Sequence, residues 1–270
     1  MTLINFDENR PLLHLIDTHT HLYLEAFDKD RNQVIERALS AGVSHFFIPA
    51  ISSKYFKRML DLKEQYPKKI HLMAGLHPCY VKEDFNEELN LVSDLLKSKK
   101  ICAIGEIGID LYWDKSFLKQ QQDAFQKQIQ LAIDYQLPIV IHCREAFDEI
   151  FEILDQFNSE KLFGIFHCFT GSINQANKAI RLNFKLGIGG VVTFKNGKID
   201  QFINKLPLDS IVLETDSPYL SPTPFRGKRN ESSYLTLILE KVSNALKISV
   251  EEVATITTRN AMEVFKNVDF

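Results

Sequence analysis

The sequence predicts an α/β fold, a (β/α)8 TIM barrel. Eight short apolar runs alternate with stretches whose apolar residues recur at helical spacing. The length of 270 residues suits one such barrel, which typically takes about 250. Histidines and carboxylates stand at the downstream ends of five of the runs, and in a barrel those ends share one face.

The strands are expected at 13–19, 45–51, 71–77, 101–107, 138–143, 163–169, 184–191 and 211–216. Most are continuous apolar runs rather than alternations, as strands covered on both faces are. Between them, 30–41 carries Val34, Ile35, Ala38 and Leu39 on one helical face. The stretch 117–135 does the same with Leu118, Ala124, Phe125, Ile129, Ala132 and Ile133. Helices are expected also at 147–157, 173–183, 231–246 and 250–266, with Asn230 as N-cap of the first of the last two. An open doubly wound sheet is the alternative, because periodicity alone does not close a sheet. No G-x-G-x-x-G or P-loop follows the first run, which removes the commonest uses of that fold. No linker or low-complexity tract divides the chain, so a single domain is expected over 1–270. The Pro-rich stretch 217–226 reads as a rim loop after the last strand.

Apolar residues make up 45% of the chain and include 20 Phe, enough for a substantial core. The net charge of −3 argues against a broad basic surface that tracks long nucleic acid. It leaves room for a metal site in which a few local Arg and Lys hold phosphates. The four cysteines, Cys79, Cys102, Cys143 and Cys168, form no C-x-x-C, and no disulfide framework is expected. The N-terminal segment lacks a basic stretch followed by an apolar one, and no run approaches the roughly 18 residues of a membrane span. These features point to a cytoplasmic protein, and nothing in them calls for a protein partner, so a monomer is expected.

The histidines sort by their place in the strands. His14, His45 and His71 begin runs, at the far rim. His19, His21, His77, His142 and His167 end runs, at the functional face. Residues two apart on a strand point the same way, so His19 and His21 share one space with Asp17 a layer below. The same alternation turns Cys143 and Cys168 toward the helices. With Glu106 and Asp216, four histidines make a mixed N/O set suited to Zn²⁺, Mn²⁺ or Mg²⁺. Six ligands exceed the needs of one open catalytic ion. Two divalent ions bridged by Glu106 are therefore expected, the first held by His19, His21 and Asp216, the second by His142 and His167. Such a pair suits hydrolysis of a phosphate ester, with Asp216 also accepting a proton from water. Glu214 reads as a buried carboxylate one layer deeper. Phosphate contacts are sought on the same face, among His77, Arg144, Arg226, Lys228 and Arg229. Tyr112 and Trp113 could stack on a base or anchor their loop.

Seven motifs then stand in order along the chain: Asp17-Thr-His-Thr-His21, Gly75-Leu-His-Pro78, Gly105-Glu-Ile-Gly-Ile-Asp110, Ile141-His-Cys-Arg144, His167-Cys-Phe-Thr-Gly171, Leu213-Glu-Thr-Asp-Ser-Pro-Tyr-Leu220 and Arg226-Gly-Lys-Arg-Asn-Glu231. Together they resemble the TatD family of metal-dependent deoxyribonucleases, over about residues 14 to 265. The resemblance implies a metallo-dependent hydrolase barrel, divalent ions and cleavage of phosphodiester bonds in DNA, typically as a 3′→5′ exonuclease, with RNA as an alternative substrate. It implies metal binding by His19, His21, Glu106, His142, His167 and Asp216, and substrate contacts by His77, Arg144 and Arg229. Ser232 departs from the usual Pro, and Asn260-Ala-Met-Glu lacks the common basic residue. Two other functions compete. An amidohydrolase-type enzyme acting on a small amide, lactone or ester often bridges its metals with a Lys, and here Glu106 and His142 stand at those strand ends. A non-catalytic barrel would show a degraded ligand set, and this set is whole.

Overall fold

The computed structural model describes residues 14–157 and 160–270. Residue 13 of the first expected strand, and the N-terminal segment read for an export signal, lie outside the described residues. Eight strands form one sheet in chain order. They are β1 (Leu15–Asp17), β2 (Val43–Ile48), β3 (Ile70–Ala74), β4 (Ala103–Asp110), β5 (Ile139–Arg144), β6 (Gly164–Phe166), β7 (Phe184–Ile188) and β8 (Ile211–Leu213). Every neighbouring pair from β1 to β8 is parallel. The chain just beyond β1 and β8 closes the ring. Thr18 N–H donates to Leu213 O (3.1 Å), Asp216 N–H to His19 O (2.9 Å) and His21 N–H to Ser217 O (2.8 Å). The result is the expected (β/α)8 barrel.

The helices are α1 (Arg31–Ser40), α2 (Phe56–Gln65), α3 (Phe85–Ser98), α4 (Leu118–Tyr135), α5 (Phe147–Phe157), α6 (Ile173–Arg181), α7 (Leu235–Leu246) and α8 (Val250–Val264). Two of them, α2 and α3, are additions to those expected. The regular alternation also fails once. Among the described residues only 3₁₀ turns join β7 to β8, and α7 and α8 both follow β8. Gly189, Gly190, Gly197 and Pro207 fall in that connection, and each disfavours a continuous helix there. No helix among the described residues is long and apolar enough to cross a membrane.

The main core lies between the sheet and its helices. A separate layer contains Ile16, Phe47, Met73, Ala103, Val140, Ile165 and Val212, one residue from each strand but β7. Phe265, just past α8, stacks on Phe47 with ring centroids 3.8 Å apart and seals this layer. His142, His167 and Glu214 each stand two residues beyond a member of the layer, so their side chains occupy the next level up. At the far rim His14 is exposed, but the other two histidines are drawn in. His71 is buried, and its Nε2 lies 2.9 Å from Nδ1 of half-buried His45. Both rings sit beneath Phe270, which accounts for the burial.

Candidate metal centre

Six side chains converge at the downstream ends of the strands. His19 Nε2 and His21 Nε2 are 3.3 Å apart. Glu106 Oε2 lies 3.2 Å from the first and 3.5 Å from the second. Asp216 Oδ1 lies 3.7 and 3.4 Å from the same two nitrogens. The other oxygen of Glu106 faces a different set: Oε1 is 2.8 Å from His142 Nδ1, 2.9 Å from His167 Nε2 and 3.2 Å from His77 Nε2. His142 Nδ1 and His167 Nε2 are 3.3 Å apart. All six residues expected as ligands thus come together, and His77 joins them.

The donor atoms fit a metal. Four donors 2.0–2.1 Å from one ion in a tetrahedron would lie about 3.3 Å apart, and the contacts in the first set run from 3.2 to 3.7 Å.

Hydrogen-bond partners decide which nitrogen is free in His21, His142 and His77. Tyr23 donates its hydroxyl to Pro49 O (3.0 Å), so it accepts from His21 Nδ1–H (3.0 Å) and leaves Nε2 unprotonated. His142 donates from Nε2 to Asp110 Oδ2 (2.9 Å), which leaves Nδ1 toward Glu106. His167 Nδ1 faces Glu214 Oε1 at 3.4 Å without a hydrogen bond, and its Nε2 is turned to Glu106 Oε1. His77 is the exception. Its Nδ1 accepts the backbone N–H of Cys79 (3.1 Å), so the proton sits on Nε2. A protonated nitrogen donates rather than ligates, so His77 is built to donate to an oxygen.

Electrostatics follow from burial against pairing. Burial pushes the Glu106 carboxyl up, but the His167, His77 and His19 imidazoles and the His142 hydrogen bond hold it well below the usual range. Asp216 is likewise raised by burial and brought below its ordinary value by His21, His167 and His19. Asp110 is lowered to about 2, since bonds from His142 and from the Trp113 and Tyr112 amides outweigh its burial. The cluster therefore keeps its carboxylates charged. Asp17, fully buried and bonded to Thr215, is pushed by desolvation to about 7.

A cavity of about 620 Å³ opens over the cluster. His21, His77, Glu106, His142, His167 and Asp216 line it, as does Arg144, the last residue of β5. Cys143 packs against the core between sheet and helices, as expected, and borders the cavity, whereas Cys168 lines the cavity wall, contrary to the outward facing expected of it. β6 ends at Phe166, and Cys168 has φ 43°, so strand alternation does not extend to it. Glu214 is buried as expected and accepts the Cys168 N–H (2.6 Å). Arg229 is not brought to the cavity. Its guanidinium forks onto Asp30 with two contacts of 2.7 Å and reaches Ala26 O (2.8 Å). Asn230 is no helix cap, because α7 starts only at Leu235. Its buried amide donates to Thr215 O (2.7 Å) and Tyr219 O (2.6 Å), bracing the rim loop.

A family model described as TatD related DNase matches residues 16–266. The chain belongs to the TatD-related DNase family. YabD of Bacillus subtilis, named an uncharacterized metal-dependent hydrolase, is 40% identical over 253 residues, 93% of this chain and 99% of its own. A crystal structure of YjjV, a TatD homologue from Escherichia coli K12, matches with TM-score 0.89 at 30% identity, over 95% of this chain and 99% of that one. The Escherichia coli phosphotriesterase homology protein, solved with phosphate in its active site, shares the fold at TM-score 0.70 and 14% identity. This TatD-family chain is a metal-dependent hydrolase, with buried His, Glu and Asp groups able to bind metal.

Sequence reasoning does not reach the residues that orient the ligands. Asp110 ends the Gly105–Asp110 motif with no role evident from its neighbours, and Tyr23 carries no signal. Asp110 does offer one clue: it follows Glu106 by four residues on the same strand, and so shares its parity.

Proposed function

We propose that the chain is a divalent-metal-dependent deoxyribonuclease that removes nucleotides from the 3′ end of DNA at a two-ion site. One observation carries this reading: Glu106 presents Oε2 to His19 and His21 and Oε1 to His142 and His167. In this proposal His19, His21 and Asp216 hold one ion, His142 and His167 a second, and Glu106 both. Magnesium, manganese and zinc all suit such donors. When bound, the ions activate water and neutralise charge on the attacking and leaving oxygens.

The chain's own groups supply the rest. Asp216 turns Oδ1 toward His19 and His21, and its other oxygen accepts the proton of the attacking water. The water oxygen bonds to phosphorus and the P–O3′ bond breaks. The departing 3′ oxygen takes up a proton from solvent and Asp216 returns its own to solvent, leaving a 3′-hydroxyl on the shortened strand and a free 5′-nucleotide. His77 donates from Nε2 to a phosphate oxygen, and Arg144 pairs with the strand's charge. The net charge of −3 suits a grip on a few nucleotides; RNA is the alternative polymer.

End-labelled DNA decides it. With Mg²⁺ or Mn²⁺ the protein should shorten a 5′-labelled strand stepwise, and Glu106→Ala should not. Equal shortening by Glu106→Ala, or none by the wild type with any divalent ion, defeats the reading.

A further inference from the structure

Trp113 is the sole tryptophan of the chain and, at 69%, the most exposed of the large apolar side chains described. It lines the cavity over the metal cluster. Tyr112, half exposed, meets it edge to face with centroids 4.9 Å apart. The Arg144 guanidinium lies 3.8 Å from the Tyr112 ring centre and 5.4 Å from that of Trp113. Two aromatic faces and one cation thus stand together at the mouth of a phosphate-ester site.

An exposed indole could simply pin its loop. The structure shows another anchor. Asp110 is buried, and its Oδ1 accepts the backbone N–H of Tyr112 (3.0 Å) and of Trp113 (3.1 Å). Its Oδ2 accepts from His142 (2.9 Å). Gln121, also buried, donates to Asp110 O (3.3 Å) and Asp114 O (3.4 Å) from the other side. The loop is held by these polar bonds, and the indole is spare. The Trp113 backbone N–H is held by the same carboxylate that accepts from His142.

We propose that Trp113, supported by Tyr112 and Arg144, is a specificity-determining residue that stacks on a nucleobase next to the scissile phosphate. The inference rests on the nuclease reading for its substrate. A nucleobase offers a flat π face to the exposed indole, and the adjoining phosphate offers the charge that Arg144 matches. The shared anchor fixes the distance between base and reacting phosphorus before substrate arrives, so little ordering remains to oppose binding.

The test compares two strands, one ordinary and one with abasic sugars at its last two 3′ positions. Trp113→Ala should raise KM on the ordinary strand by about 5- to 150-fold, the range of one lost base stack. Trp113→Phe should keep most of the affinity. On the abasic strand the difference between Trp113→Ala and wild type should vanish. An unchanged KM on the ordinary strand, or an equal loss on both strands, overturns the proposal. Because Trp113 is the only tryptophan, the Mg²⁺-loaded wild type gives a second readout. A cleavage-resistant phosphorothioate strand should quench its fluorescence, and the abasic counterpart should not. Equal response to both strands, or none, also overturns the proposal. This readout decides the stacking even if no strand is cut, a result that would defeat only the nuclease reading.

Discussion

His142 and Asp110 form a 2.9 Å hydrogen bond from Nε2 to Oδ2 that leaves His142 facing Glu106 through Nδ1. The ring is therefore reversed relative to His21, which turns Nε2 to the cluster. Removing the carboxylate frees the ring to flip or tilt. Asp110→Ala should weaken metal affinity by about 10- to 100-fold, as loss of such partners typically does. Asp110→Asn, which keeps an acceptor oxygen, should fall between. Metal titration by calorimetry measures both, and wild-type affinity in Asp110→Ala would refute the role.

Gly187 leaves room for Glu214. A Cβ added there would stand 2.2 Å from Glu214 Oε2 and 2.9 Å from Cδ. Glu214 is fully buried and cannot swing into solvent. Gly187→Ala should cost about 1–3 kcal/mol, the usual range for overpacking, read by denaturant unfolding. Since Glu214 faces His167, metal affinity should drop as well. Unaltered stability would show that the carboxylate has space to retreat.

The far end of the barrel sets a pH dependence. Burial pulls His71 down to about 3 and His45 to about 4, from 6.5. In the unfolded chain both rings take up protons below about pH 6.5. The unfolded state then binds more protons than the folded one, so stability falls as pH falls from 6.5 toward 3. His71→Phe should flatten that decline in a series of thermal melts. A slope equal to wild type would place the acid sensitivity elsewhere.

Metal removal should destabilise the fold. The donors converge only in the folded barrel, so an ion binds that state and not the unfolded chain. At a metal concentration 100 times Kd the gain is about 2.7 kcal/mol. A chelator should therefore lower the melting temperature, and re-addition should restore it. Calorimetric melts with EDTA, then with Mg²⁺, Mn²⁺ or Zn²⁺, would also rank the metals. Identical melts with and without ions would count against a resident metal.

The six candidate ligands are legible in the sequence because their chemistry is unusual for strand ends. A His-x-His after an apolar run, and four partners in the same relation to later runs, leave little room for a purely structural role. Their orientation is not legible. The bond between Asp110 and His142 joins residues 32 apart in sequence, and nothing local says which ring nitrogen faces inward. The same limit applies to Arg229. Its place in a motif suggests the substrate, while its fork to Asp30 spans 199 residues. Among the helices, α2 escapes a reading by periodicity because only Met59 and Leu62 are buried among its charged residues. The stripe of α3, Phe85, Leu89, Val92 and Leu96, does have helical spacing, and that helix is readable from it.

The ring of strands closes at the very place where His19, His21 and Asp216 meet. Asp216 N–H bonds to His19 O, and Thr18 N–H to Leu213 O. Nearly 200 residues separate the two sides of this seam. His19 and His21 therefore precede Asp216, their neighbour in the cluster, by nearly the whole barrel. A chain that ends before β8 lacks Asp216, although it already holds Glu106, His142 and His167. The cluster of His19, His21 and Asp216 is thus completed only when β8 and the residues just after it join the ring.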